Sequence, residues 1–264
     1  ILDPVEYDEY IKVYEDKSLD ITDCAVTADK VGKITHESGS GLGINVNGTL
    51  TLWNGTITGN KGSNGGGVFV NADGTFIMNG GAITGNNANG NGGGVCLNQR
   101  STFIMNGGTI TGNNASSNGG GVYVNSNGVF TVSGKVQITD NWKNGKLENG
   151  VYVQDNNSTK GNVYLPGSVV GSLATITIGA AGLTQDAQIG VSKSTDNLPA
   201  AGNDVKIATE ATNSQLDYTK IFQLDVDDPS YTVIRDENNN LSIYNHQHNW
   251  IYESSADYRT IMAT

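Results

Sequence analysis

The sequence GGGVFVNADGTFIMNGGAITGNNANGN (65–91) is followed directly by GGGVCLNQRSTFIMNGGTITGNNASSN (92–118), a second copy of the same pattern. Looser copies at 39–64 and 119–149 flank them, so successive copies are 26, 27, 27 and 31 residues long. A GVYVQ segment at Gly150 indicates the start of one more copy. Repetition at a period of 20–50 residues is typical of solenoids and other repeat architectures.

Each copy contains three short β-type segments, for example GVFV, TFIM and AITG, separated by Gly/Asn clusters that are typical of turns. Three strands in about 27 residues fit one coil of a parallel β-helix, whereas a propeller blade needs about 40 residues and four strands. The 36 glycines and 32 asparagines of the 264-residue chain argue against a helical bundle, because both residues are poor helix formers. The sequence therefore predicts an all-β fold, a single-stranded parallel β-helix with three strands per coil and a cap at each end.

Alternation along each strand assigns the inward-facing side chains, because successive residues of a strand point to opposite faces. The predicted inward columns are Leu42/Ile44, Val68/Val70, Val95/Leu97, Val122/Val124 and Val151/Val153 on the first strand, Leu50/Leu52, Phe76/Met78, Phe103/Met105 and Phe130/Val132 on the second, and Ile57, Ile83, Ile110 and Ile138 on the third.

Asparagines recur at the predicted corners in two columns. Amide side chains stacked in register can hydrogen-bond to one another along the coil axis. We expect two structural Asn ladders, Asn60, Asn86, Asn113 and Asn141 in one column and Asn45, Asn71, Asn98 and Asn125 in the other.

The segments Phe76–Asn79 and Phe103–Asn106, each following a GGGV, resemble the GGA[ILV]/FxxN repeats of bacterial polymorphic outer-membrane proteins. The longer pattern GGGV-x-V…GTF-x-M-x-GG-x-ITGN more closely resembles right-handed parallel β-helix repeats of adhesin-like surface proteins from Gram-positive gut bacteria. The resemblance covers 39–150 and departs from the pattern at Phe130–Ser133, which lacks the Asn. It implies a right-handed β-helix that is secreted and displayed at the cell surface, and it leaves the activity open.

The repeat divides the chain into four parts. We expect an N-terminal cap and lead-in coil at 1–38, repeat coils at 39–165, and irregular last coils with a C-terminal β cap at 166–245. A hairpin is predicted around 236–240 within that cap. Residues 246–264 are interpreted as a tail that begins a following module.

The negative net charge of the chain argues against nucleic acid as a partner. The net charge is −11 and only 15 residues are Lys or Arg, whereas nucleic-acid binding depends on clustered cations. The sequence contains no run of 18 apolar residues, so no membrane span is predicted. We expect a monomer without a cofactor, whose partner is a carbohydrate or a host surface protein.

The sequence contains few candidate residues for catalysis or metal binding. Polysaccharide lyases and glycoside hydrolases need paired carboxylates, and Asp73 is the only carboxylate between 39 and 134, with Arg100 one coil further along. Asp225, Asp227 and Asp228 form an acidic cluster that fits either a calcium site or a solvated turn, and we favour the turn. Cys24 and Cys96 lie too many coils apart for a disulfide.

The outer face of the first strand carries the binding hypothesis. Phe69, Tyr123 and Tyr152 are predicted to form a column with Cys96, and exposed aromatic rings at strand spacing suit sugar rings or a protein partner. Alternatively, the 141–149 segment with Trp142 covers them. The favoured function is a rigid extracellular binding or display module. The alternative is a polysaccharide-active enzyme whose acids lie in the caps or outside this chain.

Overall fold

The computed structural model describes residues 10–23, 32–36, 41–167, 174–193, 198–210 and 216–246, together with the strands at 250–254 and 259–263. The regular structure of these residues is β-strand, apart from one 3₁₀ turn at Tyr218–Lys220. Among the described residues, no helix has the length and hydrophobicity needed to cross a bilayer.

The strands follow one another around successive coils, and the strands of one coil are named A, B, C and D in chain order. Coil 1 comprises β1 (Ile11–Val13), β2 (Ser18–Ile21) and β3 (Lys33–Ile34). Coil 2 comprises β4 (Ile44–Val46), β5 (Thr49–Leu52), β6 (Thr56–Thr58) and β7 (Lys61–Gly62). Coil 3 comprises β8 (Val68–Val70), β9 (Thr75–Met78), β10 (Ala82–Thr84) and β11 (Asn87–Ala88). Coils 4 and 5, in which strands B and C are continuous, comprise β12 (Val95–Leu97), β13 (Thr102–Thr111) and β14 (Asn114–Ala115), then β15 (Val122–Val124), β16 (Val129–Ile138) and β17 (Trp142–Lys143).

The later strands include the end of the stack and two separate hairpins, β18–β19 and β28–β29. They are β18 (Lys146–Glu148), β19 (Val151–Val153), β20 (Thr159–Lys160), β21 (Val163–Tyr164), β22 (Ile176–Leu183), β23 (Gln188–Ser192), β24 (Asp204–Glu210), β25 (Phe222–Leu224), β26 (Tyr231–Arg235), β27 (Asn240–Asn245), β28 (Trp250–Ser254) and β29 (Arg259–Ala263).

Each coil pairs with the next in parallel, and about six coils of about 27 residues form a β-solenoid. The predicted all-β parallel solenoid is confirmed. A feature that the sequence pattern missed is the short strand D, which forms its own five-stranded sheet from β7, β11, β14, β17 and β20. Pairing in this sheet is parallel except between β17 and β20.

The core consists of inward side chains stacked in register. On strand B, Phe76, Phe103 and Phe130 stack with ring centroids 4.7 and 4.9 Å apart and nearly parallel planes. The predicted columns on strands B and C are confirmed, and their members are fully buried. Full burial of each such side chain contributes roughly 1.5–3 kcal/mol.

The predicted strand A register is wrong in coil 2. Ile44 pairs with Val68 and Val46 with Val70, so Ile44 and Val46 are the inward pair and Leu42 precedes the strand. The reason is local: the turn between strands A and B has two residues in coil 2, where coil 3 has four. Counting back by the 26-residue length of that copy therefore places strand A of coil 2 two residues too early.

The predicted inward pair Val151/Val153 is also wrong. These residues belong to β19, which pairs antiparallel with β18 as a hairpin outside the stack. Strand A of coil 6 is β21, in which Val163 pairs with Val122. The parallel ladder therefore continues at β21, after the hairpin.

The C-terminal part ends the parallel stack with antiparallel strands. β22 and β23 pair in parallel with β24 and β25, and β27 then runs antiparallel to β24. β26 and β27 form the hairpin predicted around 236–240. Antiparallel closure leaves the last coil covered by a hairpin, which limits further edge-to-edge pairing.

Candidate binding surface

The outer side of strand A carries one outward residue per coil, because each three-residue strand has an inward side chain at both ends. We call this surface face A. Its middle residues pair in register from coil 2 to coil 6, and they are Asn45, Phe69, Cys96, Tyr123 and Tyr164.

The aromatic members of face A are partly exposed. The rings of Tyr123 and Tyr164 stack with centroids 5.7 Å apart and planes 8° from parallel. Partial burial is the main reason that the pKa of Tyr123 lies above its ordinary value, with smaller contributions from Cys96 and Tyr164. The Tyr123 hydroxyl is therefore a neutral hydrogen-bonding group at physiological pH.

Cys96 interrupts the aromatic column. Its side chain is 5% exposed, and burial raises the pKa of its thiol to about 12. A thiol with so high a pKa is not a nucleophile at neutral pH. Cys96 is unpaired, and Cys24, the other half of the rejected disulfide, lies outside the described residues.

Corner glycines border the column on one side. Gly92 and Gly119 have φ of +67° and +64°, and a Cβ on Gly92 would lie 2.6 Å from the Cβ of Cys96. A Cβ on Gly119 would lie 2.9 Å from the Cα of Tyr123. These corners pack directly against strand A, so face A is a shallow strip beside the corners.

Tyr152, predicted to belong to this column, lies elsewhere. Its backbone N–H donates to the carbonyl oxygen of Gly112 at 2.8 Å, which places the β18–β19 hairpin on the corner that follows strand C. The position next to Tyr123 is taken by Tyr164. Trp142, proposed as a cover for the column, is buried within strand D of coil 5.

The first predicted Asn ladder is present and is longer than expected. Each side-chain amide donates to the Oδ1 of the asparagine in the following coil at 2.9–3.0 Å. Each Oδ1 also accepts the backbone N–H of the asparagine before it. The members are Asn60, Asn86, Asn113, Asn141 and Asn162, all buried.

Asp225 ends this ladder. Its carboxylate accepts the side-chain amide of Asn162 at 2.6 Å, the backbone N–H of Asn162 at 2.8 Å and the hydroxyl of Ser192. Burial raises the pKa of Asp225, and the bonds from Ser192 and Asn162 oppose that rise. Asp225 is thus a structural acceptor.

The other predicted cluster members do not join it. The Asp228 carboxylate accepts the backbone N–H of Ser230 at 2.9 Å, and Asp227 is exposed. Within the described part of the chain, no three His, Cys, Asp or Glu side chains form a group that would hold a metal ion.

The second predicted Asn ladder is wrong in its register. Asn45 points outward on face A, and Asn47 is the residue that lies beside Asn71. Asn71 donates to the side-chain oxygens of both. Further along, the amide oxygens of Asn98 and Asn125 form local bonds, with the Gln99 N–H and the Ser126 hydroxyl. The short turn of coil 2 causes the shift.

Asp73 and Arg100, noted in the sequence as neighbours, form a bidentate ion pair at 2.9 and 2.8 Å. Both side chains are mostly exposed, so the pair contributes little to stability. Its effect is to orient the Asp73 carboxylate, and the hydrogen bond from Arg100 lowers the pKa of that carboxyl.

Tyr164 and Asn162 are the residues that the repeat pattern missed. Both lie in the segment GNVYLPG, which follows an insertion and has only one glycine, the valine and the tyrosine in common with GGGVYV. A search for V-Y after the insertion would have produced two candidates, Tyr152 and Tyr164. Only the pairing of β18 with β19 decides between them.

Comparison of the chain with protein-family models, with curated proteins and with solved structures found no match.

Proposed function

We propose that this chain is a rigid β-solenoid module of a bacterial cell-surface protein that binds a glycan along face A. The observation that carries the proposal is the column of partly exposed rings in register on a flat parallel sheet, with Tyr123 and Tyr164 stacked on adjacent coils.

The chemistry of the column suits a sugar chain. Aromatic rings present a flat apolar surface, and tyrosine adds a hydroxyl that can donate or accept at the edge. Sugar rings have a complementary character, with an apolar C–H face and a polar rim. Parallel strands are about 4.8 Å apart, so a linear glycan along the solenoid axis would meet a new side chain at each coil.

Rigidity supports binding because the column needs no ordering when the ligand arrives. The Asn ladder and the stacked phenylalanines hold successive coils in register behind face A. Binding surfaces that are ordered in advance lose less side-chain entropy on association.

The proposed location is extracellular. The repeat pattern resembles that of surface proteins from Gram-positive bacteria, and the chain has few charged groups in the repeat, three between 39 and 134. A surface-displayed solenoid would serve as an adhesin for a carbohydrate or a host surface protein, and the aromatic column favours the carbohydrate.

The test is a glycan array followed by calorimetry on the best ligand. The double variant Tyr123→Ala, Tyr164→Ala should lower affinity at least tenfold. Tyr152→Ala is the matched control, since it removes the same side chain from the outer surface of the hairpin, and it should leave affinity unchanged.

Equal binding by the wild type and the double variant would contradict the role of face A. Reducing-sugar and unsaturated-product assays on the same ligands test the enzyme alternative. Product formation would replace the binding proposal with a catalytic one.

A further inference from the structure

The turn from strand A to strand B differs in length between coils. It has four residues in coils 1, 3, 4 and 5, at 14–17, 71–74, 98–101 and 125–128. In coil 2 it consists of Asn47 and Gly48 alone. The longer turns of coils 1 and 3 therefore project on either side of a missing segment.

A cleft of about 550 Å³ occupies this gap, within the 300–1,000 Å³ typical of small-molecule sites. It is lined by Glu15, Asp16, Lys17, Ser18, Asn47, Gly48, Thr49, Ala72, Asp73 and Thr75.

Gly48 keeps the floor of the cleft low. A Cβ at this position would lie 2.2 Å from the carbonyl oxygen of Lys17 and 2.3 Å from that of Tyr14, so no larger residue fits. The Asn47 and Gly48 N–H groups both donate to the Val13 carbonyl oxygen, at 2.8 and 3.2 Å. The floor is thus fixed to the coil below.

Neutral hydroxyls form one side of the cleft. Ser18, Thr49 and Thr75 pair in register on successive B strands. They alternate with the partly buried Leu19 and the buried Leu50 and Phe76, so their hydroxyls point outward. A row of hydroxyls offers both donors and acceptors to a ligand.

Carboxylates stand on both walls. Asp16 is held at φ +57° in the turn of coil 1, and Asp73 at φ +64° in the turn of coil 3. Arg100 fixes the Asp73 carboxylate through two hydrogen bonds from outside the cleft. Hydroxyl donors bind carboxylates about twice as strongly as they bind neutral acceptors.

An exposed aromatic ring stands in the turn beside the cleft. Tyr14 directly precedes Glu15 and is 59% exposed, with the Lys12 Nζ 4.9 Å from the centre of its ring. Single exposed rings are common, but one beside a polar cleft of this size adds an apolar platform to its hydrogen-bonding groups.

These groups fit a sugar better than a bare cation. A calcium ion needs six to eight oxygens at 2.3–2.6 Å, and in the described residues no three acidic, His or Cys side chains come together in that way. Hydroxyls, an amide, carboxylates and an aromatic ring in a cleft larger than an ion match the many hydroxyls and the apolar face of a sugar.

We propose that the cleft between the turns of coils 1 and 3 binds one neutral sugar residue of a glycan. The inference rests on the proposed function, and it adds an end site at the N-terminal end of face A, where Asn45 continues the column from Phe69.

The experiment fills the cleft. Inserting Ala-Asp between Asn47 and Gly48 copies the NADG turn of coil 3 into coil 2, and circular dichroism with thermal unfolding checks that the fold is retained. A second variant, Asp16→Asn, removes one carboxylate and keeps a residue that tolerates positive φ. Asp140→Asn is the control, because Asp140 is an exposed aspartate at φ +54° outside the cleft.

Affinity is measured for neutral oligosaccharides of glucose, galactose, mannose and N-acetylglucosamine. We expect the insertion to weaken binding at least tenfold, Asp16→Asn to weaken it several-fold, and the Asp140 control to match the wild type. Unchanged affinity in the insertion variant and in Asp16→Asn would overturn the cleft as a sugar site.

The variants on face A separate the two proposals. Loss of binding in the tyrosine double variant alone supports face A and overturns the cleft, whereas loss in the cleft variants alone supports the cleft and overturns face A. Binding of none of these oligosaccharides by the wild type overturns both. Saturable calcium binding that Asp16→Asn abolishes, without sugar binding, would replace the sugar with a cation.

Discussion

The repeat coils and the C-terminal coils use the same columns with different residues. In coils 2 to 5 the ladder position is an asparagine, which accepts from the coil before and donates to the coil after. At the C-terminal end the position is Asp225, whose side-chain oxygens accept from Asn162 and Ser192. A ladder of donors needs an acceptor at its end, and the carboxylate oxygens of Asp225 accept these bonds.

The inward column of strand A shows a second contrast. Its later members are Leu97, Val124 and Leu165, all fully buried. Lys193 follows Ser192, the partner of Tyr164, and so lies beside Leu165. Its side chain is 6% exposed, and its Nζ has no hydrogen-bond partner among the described residues.

The two regions differ in how the polar groups of each coil find hydrogen-bond partners. In the middle of the stack the ladder position is an asparagine in the coil on each side, so one residue type serves both neighbours. At the end one neighbour is missing, and ionisable groups take over positions that are neutral elsewhere. Three changes test this comparison.

The largest effect is expected for Asn113→Ala, in the middle of the ladder. It strands the side-chain and backbone N–H groups of Asn86 and the carbonyl oxygen of Ile83, all buried. At about 1–3 kcal/mol for each stranded group, the free energy of unfolding should fall by about 4 kcal/mol. Denaturant unfolding measures this value.

Asn98→Ala is the matched control, since Asn98 lies at a partly exposed corner and, among the bonds described, its side chain accepts only the local Gln99 N–H. It should cost less than about 1 kcal/mol. Equal losses for the two alanine variants would contradict the ladder as the element that joins the coils.

Lys193→Met should instead stabilise the protein. Burial lowers the pKa of Lys193 to about 8, whereas an exposed lysine titrates near 10.4. The unfolded state therefore binds more protons between about pH 8 and 10.4, and wild-type stability rises with pH across that window. Below pH 8 the variant should gain about 3 kcal/mol, and the gain should shrink above it.

Unfolding curves at pH 7 and pH 10 measure this difference. Lys206→Met, at a half-buried position of β24, is the control for the change of side chain itself. A gain at Lys193 that is the same at both pH values would contradict a buried charge as its cause.

Asp225→Asn is expected to have the smallest effect, a loss of about 2 kcal/mol, because the new amide NH₂ would face an N–H or hydroxyl donor of Asn162 or Ser192. Thermal unfolding at pH 7 measures it. Asp227→Asn is the exposed control, and a loss no larger than in that control would show that the ladder does not need an acceptor-only end.

Prediction from the sequence succeeded where the period is constant. The columns on strands B and C follow from alternation alone, and the Phe76–Phe103–Phe130 stack lies where the 27-residue spacing places it. It failed where a turn or insertion changes the count. The turn after Val46 is two residues shorter, so Asn45 lies on face A and not in the predicted Asn ladder. The hairpin after Trp142 contains Tyr152, so Tyr164 takes the predicted place of Tyr152 in face A.

The sequence by itself determined the coil, its core columns on strands B and C and the first four members of the Asn ladder, because in a solenoid a residue and its neighbour in the next coil are one period apart. Local pattern and tertiary contact are then the same information. Only the tertiary structure decided that Asp225 closes the ladder across 63 residues from Asn162, that Tyr164 completes face A, and that the short turn of coil 2 opens a cleft. These contacts depend on which segments come together after the period is broken, and no fixed spacing encodes them.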